Sequence, residues 1–489
     1  MLVEEASPLP PFLLIGVTLL TIPCFFIPQL FVGVIGLIAL ALVLLLSEHL
    51  LFGWYVLVAL SPLIKWELSF LPFHNWLQNY PGLYGMHAPL VEFWTVLLIV
   101  AFVINVARRV ARGEKISLYW PGLPWFLLFV GSALVSLVPE LSVERAVSLK
   151  YLAHFILLFY IGYVVLGANI IESKIVWHTS LKILAGVGLA GAVLGALSIL
   201  THFVLGDGFV RAAPLSLWGW RPFGGEHIFL AEVLTTTIPL WLYFWHQARN
   251  VETKRLAGLA AGFMFVIGLL TLSRAAWVTL ASEAVIFFYL THEHRSWRSL
   301  VEEWWWAFVV ALPVFGYLIY FLITSTAAAG STAARLSLTD IAFYLWREHP
   351  IVGQGVGTFV DKLADIKVFS LEFGAPLDAH GVVQKLLAEQ GLLGLITFTI
   401  FIGWIIRTIL ARYRDKNYTD EARTAYFVSF FLVLSPLIFQ LFNTQYYSSK
   451  MWVPISLAIA QAIIYRKETH WTKLEINFNA KRRRIVTEM

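Results

Sequence analysis

The chain has 489 residues, of which 59% are hydrophobic and 13% charged, and its formal net charge is +5. A soluble domain is about 45–50% apolar and about 25% charged, so this composition excludes a water-soluble globule and a disordered chain. It predicts an all-α polytopic membrane protein, because the apolar stretches are too long and too uniform for barrel strands. The single cysteine, Cys24, excludes a disulfide framework and a cysteine-ligated zinc site.

Apolar stretches of about 20 residues, the length that crosses a bilayer, recur along the chain, and we expect about 14 transmembrane helices, within a range of 12–14. The first stretch lacks a basic leading segment and a small-residue cleavage site, which favours a retained span over a signal peptide. The predicted spans lie at 11–26, 29–46, 49–64, 89–107, 121–137, 150–168, 181–203, 228–246, 256–272, 275–291, 304–326, 387–408, 424–442 and 450–465.

The distribution of basic residues gives the orientation of these spans. With the N-terminus in the cytoplasm, 23 of the 35 Lys and Arg fall on the inner side. The positive-inside bias therefore favours an even number of spans with both termini cytoplasmic, and it accounts for the basic charge without a nucleic-acid partner. The longest outer loop, 327–386, contains a predicted helix, and a loop of this length in a compact protein is usually functional.

Two outer segments carry arginines that the charge bias does not explain. Arg221 precedes a glycine pair and a span that contains Pro239, and a guanidinium beside such backbone can approach an anion. Arg274 follows Ser273 in a two-residue turn between apolar helices, where a charge is costly unless it is paired or binds a ligand. The simpler alternatives are an arginine on lipid phosphate for Arg221 and a snorkelling arginine for Arg274.

The long outer loop carries a third arginine and a glycine-rich turn. Arg335 opens a stretch with apolar residues at helical spacing, which Pro350 ends. The turn that follows, Gly353-Gln-Gly355-Val-Gly357, lacks the Lys-Ser/Thr pair of a Walker loop. A tight packing turn is therefore the favoured interpretation.

A histidine and a glutamate follow at the end of this loop. His380 can act as a general base near neutral pH, although a lone histidine is more often a hydrogen-bonded interface residue. Glu389 lies nine residues further on, at the start of the next span. No outer carboxylates have metal-ligand spacing, so we expect no metal site.

Taken together, these segments resemble the O-antigen ligase and polymerase family of bacterial envelopes. The family pattern joins Arg-x-x-Gly before a proline-containing span, Thr-x-Ser-Arg at a helix corner, an arginine that opens a helix ending in His-Pro and a glycine turn, and His before Glu-x-Gly-x-x-Gly. This order is matched here by Arg221–Pro239, Thr271–Arg274, Arg335–Phe359 and His380–Gly394. Gly381 and the Gly225-Glu226-His227 run depart from the usual asparagines, and His227 is a candidate for an additional contact.

The resemblance implies a GT-C-like enzyme that moves a glycan from undecaprenyl diphosphate to an acceptor hydroxyl on the periplasmic face of the bacterial inner membrane. The diphosphate would be bound by Arg221, Arg274, Arg335 and, in reserve, Arg211. His380 would take the acceptor proton, and Glu389 would orient His380 or its loop. The implied partners are the lipid-linked donor, a glycolipid or glycan acceptor and membrane lipids, with no cofactor.

The resemblance leaves the reaction type open between a ligase acting on lipid A-core and a polymerase acting on another lipid-linked repeat, with the ligase as the leading prediction. A transporter or flippase is a more distant alternative, since neither midplane charges nor internal repeats are evident. The predicted organisation is N-terminal membrane helices at 1–203, a catalytic core at 204–411, C-terminal membrane helices at 412–466 and a basic cytoplasmic tail at 467–489.

Overall fold

The computed structural model describes residues 28–66, 89–138, 145–205, 211–215, 222–291, 316, 320, 326–367, 369, 371, 377–465 and 473–476. Within these ranges, seven helices are long and apolar enough to cross a membrane, or up to eight if a bent pair near the N-terminus forms one span. The protein is therefore a mostly helical polytopic membrane protein. The span predicted at 11–26 and nearly all of the one at 304–326 lie outside the described residues.

The bent pair consists of α1 (Pro28–Glu48) and α2 (Leu50–Leu60), whose axes turn by 112° at the break between them. At 1.5 Å per residue, the 11 residues of α2 cover about 16 Å, roughly half of the hydrocarbon core. The structure therefore does not confirm a separate span at 49–64, because α2 alone is too short to cross the bilayer and forms with α1 a broken span or a re-entrant segment.

A small sheet joins the loop after α3 (Leu90–Ala111) to the C-terminal tail. Strand β1 (Ile116–Tyr119) pairs antiparallel with β2 (Lys473–Ile476), which places the two segments on the same face of the bundle. The helix α4 (Leu123–Val135) follows β1 and has 13 residues, so it covers about 20 Å, less than the full span predicted at 121–137.

Four helical segments contribute many residues to the largest buried cluster. The first, α5, runs through Arg145–His154, a π-helical stretch Phe155–Val165 and Leu166–Ile170, and it is followed by α6 (Lys174–Leu205). The others are α13 (Asp420–Gln440) and α14 (Ser449–Ile464). Lipid gives little hydrophobic drive between helices, so close packing and interhelical hydrogen bonds stabilise the bundle. Phe159 stacks on Trp452, and the Trp177 indole donates to the Leu457 carbonyl at 2.9 Å.

The remaining helices converge at one end of the bundle. They are α7 (His227–Gln247), α8 (Val251–Leu270), α9 (Arg274–Thr291), α10 (Thr326–Glu348), α11 (Phe359–Ala364) and α12 (Val382–Arg414). Ala231, Ala275, Ala276 and Phe439 form a buried cluster, so the starts of α7 and α9 pack against the end of α13. Small side chains here let these helix ends approach closely, and the candidate site lies beside them.

Candidate active site

The turn between α8 and α9 spans Thr271–Ser273, and Arg274 is the first residue of α9. Thr271 fixes this turn, because its hydroxyl donates to the Gly268 carbonyl at 2.7 Å and accepts the Ser273 amide at 3.3 Å. Leu272 has φ of 54°, a left-handed conformation that costs a leucine about 1–2 kcal/mol. The exposed Arg274 therefore projects from a turn that is locally strained and locally fixed. Strained backbone of this kind clusters at functional sites.

Arg335 lies inside α10, since this helix begins at Thr326, nine residues before the predicted start. The Arg274 guanidinium donates from Nη1 to the Thr332 hydroxyl at 3.1 Å, one turn before Arg335. Burial, reinforced by the positive charge of Arg274, lowers the pKa of Arg335 from its ordinary value. The Nε of Arg335 is buried and has no hydrogen-bond partner in the structure. Two neighbouring cations and an unsatisfied donor make this a place where an anion would bind favourably.

His380 is half-buried in the short loop that precedes α12. Burial lowers the pKa of its imidazole below the ordinary 6.5, the positive charge of Arg335 lowers it further, and Asp378 opposes both effects. The imidazole is therefore neutral at pH 7, the form that accepts a proton. The structure brings His380 and Arg335 together, although 45 residues separate them in the chain.

Arg211 and His227 complete the cluster on the other side of Arg335. The Ala212 amide donates to the Leu270 carbonyl at 2.7 Å, which anchors the Arg211 segment beside the α8–α9 turn. The Arg211 Nη1 lies 3.5 Å from the His227 Nε2, and His227 also feels the charge of Arg335. Arg221 lies outside the described residues, so its placement stays a prediction.

The cluster formed by Arg211, His227, Arg274, Arg335 and His380 concentrates positive charge. Among the described residues, none of its three arginines forms an ion pair with a carboxylate. Planar guanidinium groups bind phosphate oxygens in a forked geometry and stabilise negative charge that develops on them. Searching the same residues finds no group of three or more His, Cys, Asp or Glu placed to hold a metal ion.

Glu389 lies apart from the arginines and binds the glycine turn. It is 1% exposed, and its Oε1 accepts the Phe359 amide at 3.2 Å. The Gln354 and Gly355 amides donate to the carbonyls of Ala388 and Glu389, each at 2.9 Å. This arrangement supports the packing turn favoured by the sequence, and it places Glu389 against the loop and not against His380.

Gly353 is the residue of this turn that a side chain would disrupt most. Its φ is +74°, and an added Cβ would overlap the backbone of Glu389 and Gln390, which has no freedom to move. We expect Gly353→Ala to lower the free energy of unfolding by about 1–3 kcal/mol. Thermal unfolding in detergent measures this, with Gly403→Ala as the control, since a Cβ there meets nothing within 4 Å. Equal melting temperatures for the two variants would contradict the packing argument.

The sequence analysis missed two buried lysine–carboxylate pairs near this end of the bundle. Lys385 Nζ lies 2.7 Å from both Asp378 carboxylate oxygens, and Lys450 Nζ lies 2.6 Å from Glu232 Oε2. A signal was present in each case. Lys385 precedes Glu389 by four residues in an apolar segment, and Lys450 opens an otherwise apolar helix.

Comparison with known families gives a match to the part of the chain that contains most of this site. Residues 259–399 match the family model described as O-antigen ligase. This match supports assignment of that part of the chain to the O-antigen ligase and polymerase family. The matched O-antigen ligase region runs from α8 into α12 and contains Arg274, Arg335, His380 and Glu389. Arg211 and His227 precede it and are brought to it by the fold.

One curated protein matches a different extent of the chain. It is the fructose-specific EIIABC component of the PTS system of Mycoplasma pneumoniae, 27% identical over 217 residues, which is 42% of this chain and 31% of that protein. The chain thus spans about a third of that protein's length. A sequence that is 59% hydrophobic draws on few residue types and matches other apolar stretches readily, so this similarity carries no functional argument.

Proposed function

We propose that the protein is an O-antigen ligase-like glycosyltransferase that moves a glycan from undecaprenyl diphosphate to a hydroxyl of lipid A-core or a similar acceptor. The observation that carries the proposal is the arrangement of Arg274, Arg335 and His380, which joins an anion-binding pair to a neutral base. A lipid diphosphate is the leaving group that such a pair suits. The family of residues 259–399 supports the same reaction class.

In the proposed reaction, the acceptor oxygen attacks the anomeric carbon of the donor glycan, and a new C–O bond forms. The bond between that carbon and the diphosphate oxygen breaks, and its electron pair stays on the departing diphosphate. Arg335 and Arg274 stabilise the growing negative charge without the reorganisation that water would need. The neutral His380 takes the proton of the acceptor hydroxyl, so no metal or cofactor is required.

The acceptor distinguishes the ligase from the polymerase alternative. Both use the same donor and the same site chemistry, but a polymerase adds the glycan to another lipid-linked repeat. Glycolipid analysis of a strain that lacks the gene separates them. Long unligated glycan on undecaprenyl diphosphate would support the ligase, whereas accumulated single repeats would support the polymerase. Normal glycolipids in that strain would overturn both.

We place the site on the periplasmic side of the bacterial inner membrane, within a GT-C-like fold of 12–14 spans organised as the catalytic core 204–411 and its flanking helices. Contacts support this orientation. Glu421 contacts Lys174 at 3.0 Å and Tyr465 at 3.1 Å, which joins three segments on the side that the charge bias assigns to the cytoplasm. The arginine cluster joins segments that the bias assigns to the outside.

Cysteine labelling tests this orientation. In a Cys24→Ser background, Ala364→Cys and Asn417→Cys introduce thiols at two exposed positions on opposite predicted sides. We expect an impermeant maleimide to label Ala364→Cys in spheroplasts and Asn417→Cys only after the membrane is opened. Labelling of both thiols from the same side would show that the assigned orientation is wrong.

A further inference from the structure

The loop that carries His380 is held by a buried charge, the ammonium group of Lys385. Lys385, in the first turns of α12, is 1% exposed, and its ammonium donates to both carboxylate oxygens of Asp378 at 2.7 Å. Asp378 lies two residues before His380 and four residues before Val382, the first residue of α12. The pair therefore closes a short loop that contains the proposed base, the half-buried His380.

The Asp378 carboxylate also shapes the loop from within. Its Oδ1 accepts the Ala379 amide at 2.9 Å, and the Gly381 carbonyl accepts the Lys385 amide at 3.0 Å. Both neighbours of His380 are thus hydrogen-bonded. The Ala379 amide donates to the Asp378 side chain, and the Gly381 carbonyl accepts from the first turn of α12. Lys385 takes part in both contacts. Its backbone amide donates to the Gly381 carbonyl, and its side-chain ammonium donates to the Asp378 carboxylate.

The environment of Lys385 leaves the ammonium no route to a ligand. Tyr151 from α5 and Tyr447 from the turn before α14 each place a ring 5.5 Å from Nζ, and Glu389 lies 3.7 Å away on the next turn of α12. A buried ammonium costs several kcal/mol unless it is paired. The position of the Lys385 ammonium therefore depends on the carboxylates of Asp378 and Glu389. Asp378 lies in the His380 loop, and Glu389 holds the glycine turn.

We propose that Lys385 is a positioning residue that holds Asp378 and so fixes the His380 loop beside Arg335. This inference rests on the proposed function for the role of His380, but the loop geometry stands independently of it. Lys385 touches no reacting atom and acts through the loop. The same ion pair sets the charge that His380 experiences, because Lys385 neutralises the carboxylate that would otherwise favour the protonated imidazole.

Lys385→Met tests the proposal, because methionine keeps the length of the side chain and removes its charge. We expect kcat to fall by about 10- to 100-fold, the cost of a misplaced catalytic group, with KM for the lipid-linked donor within about twofold of wild type. The acidic limb of the pH–rate profile should move to higher pH, since an unpaired Asp378 favours imidazolium. Asp378→Asn should move it to lower pH, since the negative charge is gone.

Hydrogen exchange of the purified protein gives a readout that does not depend on activity. We expect faster exchange in peptides covering 377–381 for Lys385→Met. The matched control is Lys450→Met, which removes an equally buried lysine from a different lysine–carboxylate pair and should leave those peptides and the pH profile unchanged. A purely structural role for Lys385 predicts slower folding or lower stability with the acidic limb unmoved.

The outcomes separate the inference from the proposed function. Unchanged exchange at 377–381 and an unmoved acidic limb in Lys385→Met would overturn the positioning role, whatever the enzyme does. If Lys385→Met does not fold, hydrogen exchange and the pH–rate profile of Asp378→Asn decide the question. Asp378 is partly exposed, and asparagine keeps the shape of the side chain, so this variant should fold. Faster exchange as expected, in a protein that transfers no glycan even as wild type, would support the loop role and remove the proposed function.

Discussion

Arg335→Ala is expected to lower the rate of glycan transfer severely, to a small residual activity, while the protein still inserts and folds. Arg335 is half-buried beside Arg274, so in the proposed reaction its guanidinium would meet the diphosphate in a water-poor setting where charge-assisted hydrogen bonds are strong. Removing one such donor from a transition state costs about 2.7–4 kcal/mol, or on the order of 10²–10³ in rate. Arg274→Ala should have an effect of the same kind, and the double variant should cost less than the sum because the two residues share a ligand.

The chemistry of the guanidinium separates this role from a general need for positive charge. Arg335→Lys keeps the charge but loses the planar fork, so we expect poor rescue. Arg347→Ala is the matched control, because Arg347 lies exposed in the last turn of the same helix and away from the cluster. Transfer from a purified lipid-linked donor, followed by gel analysis of the glycolipid, measures all of these variants. Near-normal transfer by a folded Arg335→Ala protein would remove Arg335 from the diphosphate site.

The helices were largely predictable from the sequence, and the exceptions have a common cause. Hydropathy reports the length of an apolar segment, and so the long helices α3, α5, α6, α7, α8, α12 and α13 coincide with predicted spans. Hydropathy does not report the direction in which a helix axis runs. The break at His49 turns α1 into α2 by 112° without a change in apolar character, and the 49–64 stretch therefore resembled a separate span.

The site was predictable where chemistry follows from order along the chain, and not where it follows from packing. Arg274, Arg335 and His380 could be proposed as site residues because each follows a local pattern, and the fold brings them together. The place of Glu389 was not predictable, because its contact with the Phe359 amide depends on how Gly353 and Gly391 let two backbones meet. Lys385 was missed because its partners come from three separate elements.

Replacing His380 with alanine is expected to lower kcat by about 10²–10⁴-fold, the usual contribution of a general base, with little change in donor binding. The reason is that the proton moves only in the chemical step, whereas the proposed contacts between the arginines and the diphosphate would already form in the donor complex. A pre-steady-state assay with bound donor separates the two steps. An equal loss of binding and turnover would indicate that His380 contacts the donor and does not act as a base.

The pH–rate profile provides the second test of His380. Burial and Arg335 lower the pKa of its imidazole, so the wild-type rate should fall only as the pH drops through a value below the ordinary 6.5. The acidic limb of the residual activity of Arg335→Ala should lie at higher pH than that of the wild type, because one of the charges that disfavours imidazolium is gone. An acidic limb that does not respond to Arg335 would show that another group titrates.

His380→Gln decides between a base and a hydrogen-bonding residue at this position. Glutamine keeps a polar side chain of similar reach but accepts no proton near neutral pH, so a base role predicts that it fails as completely as alanine. A residue that only orients the loop would tolerate glutamine, because Asp378 and Lys385 already fix the backbone on both sides. The same assay run with EDTA should give the wild-type rate, since the proposed step needs no metal. Full activity in the Gln variant would contradict the assignment of His380 as the base. Inhibition by EDTA would mean that a metal takes part in activating the acceptor.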